Sequence, residues 1–205
     1  MPYKRDTDAL GIMERRLTAK GVSMTILENR PNSALLVIDV QNDVMAAAHN
    51  RGGVVANIEH LVTEARGAAV PVIWVQHHDD GLPLDTDEWQ IVPELSPLDD
   101  EPTVHKTVRD SFEGTTLESE LANREIGRLV VVGAQTDFCV RWTLHGAHVR
   151  GYDTVLVADG HTTDEASPVG MPTGAELIEH TNSIWASQTS PRCTHRVLPA
   201  AEISF

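Results

Sequence analysis

The segment GAQTDFCV, Gly133 to Val140, puts a cysteine in the opening turn of a predicted helix, directly after an apolar run. A thiol there feels the positive end of the helix dipole and unpaired backbone N–H groups, and both favour the thiolate. By position alone Cys139 reads in two ways, as a nucleophile or as the small buried hydrophobe that a free cysteine usually is. A nucleophile also needs a base to take its proton and a fixed positive charge to steady the anion. Upstream, an aspartate, Asp39, stands near the end of the apolar run ALLVIDV. A carboxylate leaving a buried strand is partly desolvated, which raises its pKa toward that of a useful base. The other cysteine, Cys193 in SPRCTHR, has neither a helix start nor a paired acid and reads as structural.

The elements that must position these groups are legible as an alternation. ALLVIDV (Ala34–Val40), VPVIWVQ (Val70–Gln76), RLVVVG (Arg128–Gly133) and DTVLVAD (Asp153–Asp159) are nearly uninterrupted apolar runs, the pattern of strands buried on both faces. Between them, Val54, Val55, Ile58, Leu61, Val62 and Ala65 recur at helical spacing and stop at Gly67. Thr115 to Ile126 predicts a short helix opened by a capping-box spacing of Thr115 and Glu118, and Thr136–Arg150 and Thr173–Ser187 predict two more. RVLP (Arg196–Pro199) reads as an edge strand. Strand–helix alternation with such strands implies an α/β fold: a three-layer α/β/α sandwich, Rossmann-like, around a mainly parallel sheet. Ligands in such sheets bind beyond the carboxyl ends of the strands. Chemistry is therefore expected at Asp39 and Gln41, at Gln76–Asp79, at Ala134–Cys139 and at Asp159–Thr163. The stretch from His77 to Val104 is longer than an ordinary connection, as functional lids and partner-contacting arms are. Residues 1–32 read as an appendage with a helix over Asp8–Lys20 and a short strand over Val22–Leu27, leaving 33–205 as the main domain.

The 205 residues fit one domain, and 41% hydrophobic with 22% charged residues is the composition of a soluble globular protein. Thirty acids against 16 Lys plus Arg give a net charge of −14, which repels phosphate backbones and anionic lipid and argues against nucleic-acid or membrane partners. No apolar run reaches the roughly 18 residues of a membrane span. The N-terminus lacks the apolar core of a secretory signal, and two cysteines in unlike contexts form no disulfide framework. A cytoplasmic protein is expected.

LLVIDVQND (Leu35–Asp43), HKTVRDSFEGTTLESEL (His105–Leu121) and GAQTDFCV occur in an order and at separations that resemble the isochorismatase-like cysteine hydrolases. That superfamily includes nicotinamidase, N-carbamoylsarcosine amidohydrolase, ureidoacrylate amidohydrolase and isochorismatase, and the likeness runs from Ala34 to about Gln188. It implies a catalytic set of Asp39, Lys106 and Cys139, with Asp39 passing the proton and Lys106 holding the thiolate ionised near neutral pH. It also implies a cis Ala134–Gln135 peptide and an oxyanion hole made of the backbone N–H groups of Gln135 and Cys139. The implied activity is C–N hydrolysis of a small amide, ureido or carbamoyl compound through a thioester, without a cofactor, in a dimer or tetramer. Vinyl-ether hydrolysis, as in isochorismatase, is the alternative, although members with that activity typically lack the nucleophilic cysteine. A non-catalytic metabolite-binding or redox-responsive thiol protein is the other.

Val44, His77 and Phe112 are the expected substrate-lining residues. Nicotinamidases carry an Asp-x-His metal element after the second strand, where this chain reads VQHHDDG (Val75–Gly81), so no metal is expected. Neighbouring histidines on an extended segment point to opposite sides, so His77 and His78 do not share an ion. His145 and His148, three apart on a helix, read as a surface or core-edge pair. His161 is a candidate for the cleft, and Trp89 for a pocket wall or subunit contact.

Overall fold

The protein is described from a computed structural model covering residues 25–165 and 170–205. The predicted helix Asp8–Lys20 and the start of the predicted strand Val22–Leu27 lie outside these residues. The rest of that strand, Thr25–Leu27, is not a strand: Ile26 N–H donates to Arg192 O at 3.1 Å and Thr25 Oγ1 to Gly151 O at 2.5 Å.

Six strands form one sheet: β1 (Asn32–Ile38), β2 (Val72–His77), β3 (Thr103–Lys106), β4 (Ile126–Ala134), β5 (Asp153–Thr162) and β6 (His195–Leu198). Every neighbouring pair is parallel, and the order across the sheet is β3-β2-β1-β4-β5-β6. The helices are α1 (Asn42–Ala46), α2 (Arg51–Gly67), α3 (Leu117–Asn123), α4 (Arg141–Arg150) and α5 (Gly174–Ala186).

Because side chains alternate across a strand, β1 feeds two cores. Leu35 and Val37 join Trp74, Val130 and Val132 beneath the α2 residues Val54, Ile58, Leu61 and Val62. Ala34, Leu36 and Ile38 join Leu129 and Val131 on the other face, under Leu117, Leu121, Leu144 and Trp185 from the remaining long helices. This is the three-layer sandwich that continuous apolar strands require. Winding outward in both directions from β1 and β4 creates a switch point between these central strands, where an open α/β sheet leaves a crevice for ligand. Gly133 makes that crevice tight. Its φ of 121° and its place opposite Ile38 bring the two strands so close that a Cβ would lie 2.0 Å from Ile38 O.

Two local expectations fail for identifiable reasons. β3 is a strand inside what reads as loop and helix approach; four residues at a sheet edge, with only Val104 and Lys106 turned inward, leave too short a pattern to see. The Thr115–Glu118 capping box does not form, because α3 starts later and Glu118 is drawn away to Arg30 and the Tyr152 hydroxyl. Thr173 and Glu176, at the same spacing, do form the reciprocal cap at the start of α5.

Candidate active site

Each strand on the cleft side hands one group to the crevice. β1 ends at Ile38, and Asp39 turns the chain with a left-handed φ of 50°, a conformation that a non-glycine residue keeps only where its surroundings demand it. Lys106 is the last residue of β3, in register with His77 of β2. After β4 the Ala134–Gln135 peptide is cis, and Thr136–Val140 wind as a π-helical turn before α4. The Gln135 carbonyl accepts from the N–H groups of Phe138 and Val140, both at 3.1 Å, so the N–H of Cys139 between them is not among its donors.

Asp39, Lys106 and Cys139 meet at one point. The Lys106 ammonium lies 2.6 Å from Asp39 Oδ2 and 3.2 Å from Cys139 Sγ. The lysine and aspartate side chains are essentially inaccessible, at 0% and 2%. Asp39 Oδ2 is held by the Lys106 ammonium, and the Cys139 thiol stands beside the same carboxylate.

Burial pushes Asp39 above the usual carboxylate range, and the Lys106 charge offsets only part of that. Burial works against the charge on Lys106 too, yet Asp39 and Cys139 beside it raise its pKa. The Cys139 thiol is pushed up to about 12, first by burial and then by the Asp39 charge, with Lys106 pulling the other way. The expectation of a thiolate held ready near neutral pH is thus corrected. Burial and the Asp39 charge both favour the thiol over the thiolate, and Lys106 offsets them only in part.

Around this point runs a cleft of about 900 Å³, lined among others by Val44, His77, Gln135, Phe138, Trp142 and Cys139. His77 Nε2 lies 2.9 Å from Asp79 Oδ2, and His77 Nδ1 lies 3.4 Å from the Lys106 ammonium. With Nε2–H donated to Asp79, Nδ1 is left as an acceptor facing Lys106. Gln41 clamps the same stretch, donating to His77 O at 2.9 Å and accepting from His77 N–H at 2.8 Å. The Asp79–His77 link and the Gln41 clamp follow from the rule that strand ends carry chemistry, but residue types alone do not reveal the pairing.

Three expected residues lie elsewhere. Phe112 is buried away from the cleft, 5.6 Å from the Tyr152 ring and 4.6 Å beneath the Arg150 guanidinium, because its N–H is tied to Asp110 Oδ1 and turns the ring inward. The aromatic that lines the cleft is Phe138, next to the thiol. Trp89 is also buried, stacked on His105 with centroids 5.6 Å apart, and is no pocket wall. His161 supports the nucleophile turn from behind. Asn182 donates to Ala158 O, its Oδ1 therefore takes the proton of His161 Nε2, and His161 Nδ1 accepts from the Thr136 hydroxyl at 2.8 Å. Burial lowers the His161 pKa to about 4, so the ring is neutral, as this chain of hydrogen bonds requires.

Residues 33–170 match the family model described as the Isochorismatase domain. Streptothricin hydrolase of Streptomyces noursei is 30% identical over 166 residues, covering 78% of this chain and 66% of that protein. The ureidoacrylate amidohydrolase of Klebsiella pneumoniae is 26% identical over 235 residues, covering 92% of this chain and 96% of the relative. A crystal structure of an isochorismatase from Pseudomonas putida superposes with a TM-score of 0.76 at 25% identity, over 92% of this chain and 97% of that one. With the family model spanning most of the sheet and every strand end that feeds the crevice, the chain belongs to the isochorismatase family of hydrolases.

Proposed function

We propose that the chain is a cysteine hydrolase that cleaves a C–N bond of a small amide, ureido or carbamoyl compound. One observation carries this reading: a thiol, an ammonium and an acceptor carboxylate share one buried point at the floor of an open cleft, with Nζ 2.6 Å from the carboxylate and 3.2 Å from sulfur. Binding a metabolite would not require a carboxylate and an ammonium packed against a thiol; a proton transfer does.

In the proposed cycle Asp39 takes the Cys139 proton as sulfur attacks the substrate carbonyl. The protonated carboxyl no longer holds Lys106 by charge, and the ammonium is free to stabilise the sulfur during attack. The developing oxyanion is received by the N–H groups of Gln135 and Cys139; losing one such donor typically costs about 10²- to 10³-fold in rate. Asp39 then gives its proton to the departing nitrogen, which leaves as ammonia or an amine. Water attacks the thioester, Asp39 takes a proton from it, and that proton returns to Cys139 as the acid leaves. A carboxyl group with a raised pKa suits both directions of this shuttle.

The relatives named streptothricin hydrolase and ureidoacrylate amidohydrolase support an amide-type bond over a vinyl ether, and so does the presence of Cys139. A panel of amides, ureas and carbamoyl compounds assayed for ammonia or amine release tests the reading, with Cys139→Ala as the control. Release that disappears in Cys139→Ala is the expected result. Turnover only of a vinyl ether, or turnover that survives in Cys139→Ala, contradicts it.

A further inference from the structure

At the amino-terminal end of the sheet, away from the cleft, a second cluster forms where the last turn of α4, the segment before β6 and the first residue of β6 meet. His148 Nδ1 lies 2.8 Å from His195 Nε2, and Cys193 Sγ lies 3.4 Å from the same Nε2. All three atoms fall within 4.8 Å of one another. The rest of His195 is fixed from behind. Its Nδ1 is 2.8 Å from Thr154 Oγ1, which also accepts from the indole N–H of Trp185 at 3.0 Å. Cys193 is buried and both histidines are half-buried.

We propose that His148, Cys193 and His195 form a binding site for a borderline-soft divalent cation of the zinc type. The donor set of two imidazoles and a thiol selects zinc-like ions over calcium or magnesium, which require oxygen ligands. With zinc–nitrogen bonds of about 2.1 Å and zinc–sulfur bonds of about 2.3 Å, a tetrahedral ion sets its nitrogens roughly 3.4 Å apart and sulfur and nitrogen roughly 3.6 Å apart. Against these targets the His148–His195 separation of 2.8 Å needs to open by about 0.6 Å and the Cys193–His195 separation of 3.4 Å by about 0.2 Å. The Thr154 oxygen behind His195 is the partner that zinc-bound histidines generally have, since accepting Nδ1–H leaves the Nε2 lone pair for the ion.

The proton balance is simple. The Cys193 thiol releases one proton and becomes a thiolate ligand. Of the two rings now sharing a hydrogen bond, the one that donates moves its proton to its other nitrogen, so each presents a lone pair. Three protein ligands leave a fourth position for solvent. The ion would staple edge strand β6 to the end of α4, so its effect is on stability and not on the chemistry in the cleft.

The test uses the full chain carrying Cys139→Ala, which removes the other thiol, reduced and stripped of metal. Titration with Co²⁺ is expected to give one equivalent with the visible bands of a tetrahedral ion and a thiolate-to-cobalt charge-transfer band. Zn²⁺ displaces it and raises the thermal midpoint. Adding Cys193→Ser abolishes the charge-transfer band and weakens Zn²⁺ binding by about 100-fold or more, and His148→Gln, at a helix end where folding is least at risk, weakens it as well. The site is refuted if no stoichiometric Co²⁺ or Zn²⁺ binds at micromolar protein, or if binding is the same with Cys193→Ser and His148→Gln.

Discussion

The two cysteines stand at opposite ends of one parallel sheet, and burial raises the pKa of both thiols. Their neighbours differ. Cys139 faces an ammonium at 3.2 Å that is paired with the Asp39 carboxylate, whereas Cys193 lies beside the His195 ring and the His148 carbonyl. Burial disfavours the thiolate at each sulfur, so reactivity is set by what waits to receive the proton. At the carboxyl end a carboxylate stands beside the thiol; at the amino end an imidazole does. The lesson concerns strand ends generally. Parallel strands converge their last residues on the crevice at the switch point, and the ionisable groups collected there balance one another in a space too dry for any of them alone.

The largest difference between the two thiols is expected in turnover. Cys139→Ala should lower kcat on any substrate found in the panel by about 10⁴- to 10⁶-fold, the range for loss of a nucleophile. Cys193→Ser should leave kcat within about twofold. A comparable loss from both variants would erase the comparison.

Lys106→Met sharpens it through stability. With its partner removed, Asp39 is an unpaired buried acid, a change that typically costs about 3–5 kcal/mol where the charge persists. Asp39 escapes part of that cost by taking up a proton. Its folded pKa, already raised by burial, then lies further above the unfolded value, so the native state binds more protons and stability falls as pH rises past the unfolded pKa. Chemical denaturation of Lys106→Met and the parent at acidic and alkaline pH should show the deficit growing with pH. A deficit independent of pH would mean that Asp39 does not depend on Lys106.

His161 gives an effect of opposite sign. Its folded pKa of about 4 lies below the unfolded value, so its contribution is intact above the unfolded pKa of about 6.5 and is lost as pH falls through 4. The full loss is on the order of 3 kcal/mol. His161→Gln should flatten the acid limb of the stability profile while lowering kcat only modestly, because the residue acts through Thr136 and touches no reacting atom. The smallest effect is expected from Phe138→Ala, which opens the cleft wall and should raise KM several-fold with kcat little changed.

Much of this was legible in residue types. Continuous apolar runs announce a parallel sheet, and a parallel sheet announces that Asp39 and Cys139 follow strand ends on one side of it; that β1 and β4 are neighbours is seen only in the structure. Lys106 is harder, since its strand is four residues at an edge and only the resemblance in HKTVRDSFEGTTLESEL points to the lysine. Phe112 and Phe138 exchange places because a ring's direction depends on a local backbone bond, here Phe112 N–H to Asp110, that no periodicity encodes. The Cys193 cluster was hidden for a different reason. Its ligands come from an α4 end and a β6 start that are distant in sequence, and only the closing of β6 onto β5 brings them together. The balance at Cys139 was also out of reach, because a helix start favours thiolate while burial and the Asp39 charge oppose it.

The central claim, that Asp39 holds the Cys139 proton on sulfur at rest and takes it only during attack, is tested most directly by titrating the thiolate absorbance of a Cys193→Ser protein with and without Asp39→Asn. The account predicts no ionisation of Cys139 through neutral pH in the parent. In Asp39→Asn the free Lys106 ammonium should move ionisation markedly downward, while turnover collapses for want of a proton shuttle. A thiolate already present at neutral pH in the parent, or a titration that ignores Asp39→Asn, would contradict it.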